Sequence, residues 1–105
     1  MAVLEQLEPK YVFGFFEQIC AIPHGSGNTK AISDFLVSFA KERNLKYYQD
    51  ELNNVIIYKP ATAGRENSPT VILQGHMDMV LSTAPGCSKN LEVEGQDLAI
   101  DGDIV

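Results

Sequence analysis

The apolar run Val71-Ile72-Leu73 lies between two breakers, Pro69 and Gly75. A short, β-branched-rich run so bounded reads as a strand covered on both faces, and such a strand requires chain on either side of it. His76 and Asp78 follow at i and i+2, so an extended backbone projects them from one face. An imidazole and a carboxylate then share one small space. A neutral imidazole is the commonest transition-metal ligand, and a neighbouring carboxylate either ligates too or takes the other ring N–H and fixes the tautomer. In open α/β sheets, sites gather beyond the carboxyl ends of strands, where this pair falls. By spacing alone, a hydrogen-bonded structural pair at a strand end is the commoner meaning of His-x-Asp.

Upstream, the apolar period is helical. Val12, Phe15, Phe16, Ile19 and Cys20 recur at three- and four-residue intervals, which predicts a helix over about 9–20 with Pro9 in its first turn and Tyr11 flanking the stripe. Core packing explains these aromatics better than any ligand role. Pro23, Gly25 and Gly27 break the chain, and a second helix follows to about Arg43, capped by Asn28 or Thr29. Ile32, Phe35, Leu36, Phe39 and Ala40 form its apolar face, and Asn44 is a stop signal. His24 reads as a loop side chain and not as a ligand. Residues 46–49 and 54–58 read as neighbouring strands, with turn chemistry at Asn53-Asn54, a polar loop over 59–69 and a third strand over 70–74. Beyond Val80, residues 81–90 read as a loop, and 91–93 against 97–100 as a hairpin.

The Gly75-His76-Met77-Asp78 block after an apolar strand resembles the first metal motif of the di-zinc exopeptidase superfamily related to carboxypeptidase G. With Leu73, Gln74, Met79 and Val80 it is most similar to the aminoacylhistidine (Xaa-His) dipeptidases. The Ile22-Pro23-His24-x-Ser26-x-Asn28 order between two helices also resembles that family, although Gly25 stands where its members typically have proline. The resemblance implies an α/β fold, a partial three-layer zinc-exopeptidase catalytic domain with two N-terminal helices packed on a mixed sheet. It implies that residues 1–105 are the N-terminal segment of a longer catalytic domain. The matching His76 would bind one of two zinc ions; the matching Asp78 would be a catalytic-site residue that does not ligate but orients a metal-binding group.

That family hydrolyses short peptides, so a small dipeptide of Xaa-His type is the expected substrate of the parent. The bridging aspartate, the Glu-Glu pair with the general base and the other ligands would lie beyond Val105, so the isolated chain is expected to be inactive. A tripeptidase or carboxypeptidase of the same superfamily is the nearest alternative. A non-catalytic α/β interaction module is the other.

Fourteen acidic against eight basic side chains give a formal charge of −6, which argues against a surface that neutralises phosphates. No apolar run approaches the roughly 20 residues needed to cross a bilayer, and no signal pattern stands at the start, so a cytoplasmic protein without membrane or nucleic-acid partners is expected. Cys20 and Cys87 are too few and too separated for a disulfide framework and read as free thiols. Asp101-Gly102-Asp103 lacks the remaining ligands of a calcium loop and reads as a solvated turn. A sheet left with an open edge makes a homo-oligomer the expected assembly.

Overall fold

Pro9 stands just outside the first helix. Its extended ψ of 130° makes it the N-cap of α1 (Lys10–Cys20), and its carbonyl accepts the Phe13 N–H at 3.2 Å. The sequence placed Pro9 within the first turn; the cap position uses the carbonyl of a residue that has no N–H to offer. The structure, a computed structural model, describes residues 3–80, 86, 90, 95–101 and 105. At its far end α1 closes with Ala21 N–H to Glu17 O and Ile22 N–H to Ile19 O, both 3.1 Å, before Pro23.

The apolar stripe of α1 is only partly covered. Cys20 is buried, Phe15 and Ile19 are half-buried, and Val12 and Phe16 are exposed. Phe15 meets Phe39 of the second helix edge-on, with centroids 5.4 Å apart, and the Arg43 guanidinium lies 3.7 Å from the Phe39 ring centre. The ring pair ties the two helices through quadrupole attraction, and the same guanidinium, 5.5 Å from the Phe15 ring centre, adds a cation–π contact between them. The N-terminal segment is fastened by Glu17, whose carboxylate accepts the N–H groups of Val3 and Leu4. This seats Leu4 in the core.

Helix α2 (Lys30–Glu42) begins at Thr29, whose carbonyl accepts the Ser33 N–H at 2.9 Å while its side chain makes no cap bond. Of the expected face, Ile32 and Ala40 are buried and Phe35, Leu36 and Phe39 half-buried; Ser33 and Val37 are buried as well. Asn44 ends the helix as expected. It sits at φ 56°, its N–H bonds to Lys41 O at 3.1 Å, and the following Leu45 N–H reaches Ala40 O at 2.9 Å. Together these form a Schellman motif, which satisfies two carbonyls the helix would otherwise leave open.

Strands β1 (Lys46–Gln49) and β2 (Val55–Tyr58) pair antiparallel, with Lys46 opposite Tyr58 and Gln49 opposite Val55. Their turn is built by Asp50. Its carboxylate accepts the Leu52 N–H at 2.9 Å, the Asn54 N–H at 2.8 Å and the Asn54 side-chain amide at 2.9 Å, while Asn53 takes φ 70°. Asparagine tolerates that left-handed geometry, as the turn chemistry required. Helix α2 packs on both strands. The opposite face leaves Tyr48, Ile56 and Tyr58 exposed.

The third strand does not form. Residues 70–74 have no regular structure, and Val71, Ile72 and Leu73 are 78, 84 and 93% exposed. The apolar pattern marks a segment suited to burial, but a strand also needs neighbours, and no strand lies beside it among the described residues. The α/β class stands, but among the described residues the sheet is two-stranded and antiparallel, not mixed, and α2 is the helix that packs on it. Of the second expected hairpin, 91–93 lies outside the described residues and 97–100 is irregular; Cys87 and most of the loop over 81–90 also lie outside, as do two residues of the Asp101-Gly102-Asp103 turn.

One late segment docks back on α1. Gln96 donates its N–H to Cys20 O at 2.8 Å, and a Cβ placed on Gly95 would fall 2.5 Å from Ala21 O. Glycine permits that backbone contact.

Candidate functional site

Residues 76–79 are held by a loop instead of a sheet. Met79 N–H donates to His24 O at 2.9 Å, Ser26 N–H donates to Met79 O at 3.1 Å, and the two make an isolated parallel bridge between Gly25 and Met79. The loop between α1 and α2 therefore lies directly against the His-x-Asp motif. Pro23 keeps α1 from continuing, and Gly27, at φ 79°, takes a left-handed turn that a side chain would disfavour. Gln96 adds a weak contact from its side-chain amide to Met79 Sδ at 3.7 Å.

The structure brings the two expected site residues together. His76 Nδ1 lies 3.0 Å from Asp78 Oδ1, so the i, i+2 placement survives although no strand carries it. Asp78 Oδ2 accepts the Ser26 hydroxyl at 2.6 Å. These bonds, the one from Ser26 foremost and then that from His76, hold the Asp78 carboxyl below its ordinary range. An ionised carboxylate only accepts, so the proton of the shared bond sits on His76 Nδ1, and in the neutral ring Nε2 carries the lone pair. The His76 side chain is largely exposed.

His24, expected as a loop side chain and not a ligand, is a loop residue but a buried one, 6% exposed. Its Nδ1 lies 2.6 Å from Ile22 O, and since a carbonyl only accepts, this nitrogen carries the proton. The site residue that sequence reasoning missed is Ser26. Its separation of 52 residues from Asp78 leaves no local signal; the breakers Pro23, Gly25 and Gly27 and the resemblance of the 22–28 loop marked the segment but not the serine.

Among the described residues no cluster of three or more His, Cys, Asp or Glu side chains is placed to hold a metal ion. Zinc in catalytic proteins takes about three protein ligands. One imidazole with an oriented lone pair fits the part of a single ligand and does not make a site.

No family model matches the sequence. The chain is 42% identical over 80 residues to the cytosol non-specific dipeptidase of Escherichia coli (strain K12), a match covering 76% of this chain and 16% of that protein. Its structure is similar to that of the aminoacylhistidine dipeptidase from Vibrio alginolyticus, with a TM-score of 0.88 and 35% identity over 94% of this chain and 20% of that one. The chain thus spans a fifth or less of the length of either relative. No described helix is long and apolar enough to cross a membrane. Sequence identity and fold agree in likening this chain to one part of the cytosol non-specific and aminoacylhistidine dipeptidases.

Proposed function

We propose that this chain contributes one part of the active site of a zinc-dependent dipeptidase acting on Xaa-His-type dipeptides in the cytoplasm. The observation that carries the reading is the 3.0 Å bond between His76 Nδ1 and Asp78 Oδ1, which gives the ring the tautomer a metal ligand needs. His76 binds through Nε2, and Asp78 holds the ring without ligating. Zinc, when bound, supplies the Lewis acidity that polarises a scissile carbonyl and activates water. The other ligands and the general base come from polypeptide outside these 105 residues, so the chain alone is inactive. The names of both relatives support a dipeptide substrate, that of the Vibrio alginolyticus enzyme the Xaa-His type and that of the E. coli enzyme the cytosolic setting.

The test is a chimera in which this chain replaces the matching segment of the E. coli relative. Zinc-dependent hydrolysis of an Xaa-His dipeptide is expected to persist, to fall on Asp78→Ala by roughly 10- to 100-fold, and to fall further on His76→Ala. A His76→Ala chimera with full activity and full metal content would defeat the reading. The separate 105-residue chain should show no turnover under the same conditions.

Self-association of the isolated chain is supported by the uncovered apolar side chains of Tyr48, Ile56 and Tyr58 on one sheet face and by the exposed 71–73 run. Sedimentation at rising concentration is expected to show species larger than the monomer.

A further inference from the structure

We propose that Ser26 is a positioning residue for His76, acting through Asp78. The inference rests on the functional reading of His76 and Asp78 and extends their pair to a third member. An exposed His–Asp pair standing alone is a weak device, because solvent competes for both partners and the carboxylate is free to turn about its last torsion. Here both oxygens are engaged, Oδ1 by His76 at 3.0 Å and Oδ2 by the Ser26 hydroxyl at 2.6 Å. A hydrogen bond to an ionised acceptor is roughly twice as strong as one between neutral groups, and the 2.6 Å separation falls within the short range of such bonds.

The serine can do this because its own backbone is fixed to the same segment. Ser26 N–H is bound to Met79 O at 3.1 Å and His24 O accepts the Met79 N–H at 2.9 Å, so the hydroxyl and the carboxylate belong to one small framework. The loop ahead of α2 thereby sets the plane of the Asp78 carboxylate, and that plane sets which nitrogen of His76 keeps its proton. Ser26 touches no reacting atom in this arrangement. Its effect reaches the metal side only as the fraction of rings whose Nε2 lone pair is available.

The experiment is long-range ¹H–¹⁵N correlation of the His76 ring in the ¹⁵N-labelled 105-residue chain, at a pH where the imidazole is neutral and with no metal added. The parent chain is expected to show His76 mainly as the Nδ1–H tautomer. Ser26→Ala is expected to shift it towards the mixture of a solvent-exposed histidine, in which Nε2–H predominates, while the Met79 amide stays protected from exchange. Ser26→Thr, which keeps a hydroxyl, is expected to restore the parent tautomer. A Ser26→Ala chain with unchanged tautomer and a protected Met79 amide overturns the proposal. Should that variant also release Met79, Ser26→Thr decides: a parent-like tautomer supports the role and a shifted one overturns it. No peptidase activity enters this readout, so a failure of the dipeptidase reading, seen in the chimera, is distinguishable from a failure of the serine's role.

Discussion

Gln49 Nε2 donates a 2.7 Å hydrogen bond to Ser33 Oγ, joining the end of β1 to a serine on α2 that is fully shielded from solvent. The same amide reaches Asp34 Oδ1 at 3.1 Å. A hydroxyl buried on a helix face costs stability unless it is bonded, and Gln49 supplies the bond. Ser33→Ala removes the acceptor but leaves Gln49 its second partner. It is therefore expected to cost only about 0.5–1.5 kcal/mol in urea unfolding. Gln49→Leu leaves the Ser33 hydroxyl without this partner and is expected to cost more, about 1–3 kcal/mol. The reverse order would mean that the bond does not hold helix to sheet.

The Asp50 turn gives the hairpin an acid limit. Its carboxyl is held below the ordinary range by the Asn54 side-chain amide first, then by the Asn54 and Leu52 backbone N–H groups. A group whose folded pKa is lowered contributes stability above its unfolded value of about 3.9, and that contribution disappears as pH falls through the folded value. Exchange protection of the Leu52 and Asn54 amides is expected to hold from neutral pH down to about 4 and to decline below it. In Asp50→Asn the protection should be lower throughout and lose this acid step. A step of equal size in both chains would assign it to another carboxylate.

The features legible in the sequence are those fixed by near neighbours. Asn44 ends α2 and Asn53 takes the left-handed turn because both respond to backbone geometry within a few residues. The His76–Asp78 contact was legible for the same reason, a spacing of two. Leu4 gave no signal of burial, since what holds it is a Glu17 carboxylate 13 residues away. Ser26 was hidden by a still longer separation. The 70–74 segment failed differently: its composition suits a covered strand, but burial depends on which chain lies beside it, and composition does not carry that.

Gly95 is a further non-local requirement. Its α-carbon faces the backbone of Ala21, where an added Cβ would approach Ala21 C and Cα to 2.7 Å as well as the carbonyl oxygen. Backbone on both sides cannot yield as a flexible side chain would. Gly95→Ala is expected to cost about 1–3 kcal/mol as an overpacked contact, or to release the segment altogether. Loss of exchange protection at the Gln96 amide, which bonds to Cys20 O, reports either outcome. Unchanged stability with Gln96 still protected would show that the contact is looser than its geometry requires.

Leu73 separates the two descriptions of the apolar run. In a covered strand, truncating a leucine costs about 2–5 kcal/mol, from lost transfer energy and the cavity left behind. At 93% exposure there is almost no burial to lose, so Leu73→Ala should change stability by no more than about 0.5 kcal/mol. Chemical denaturation at low protein concentration makes the comparison. A large cost that grows with concentration would place a second copy over Leu73, because only association makes apparent stability depend on protomer concentration. A large cost independent of concentration would require cover from within the same chain.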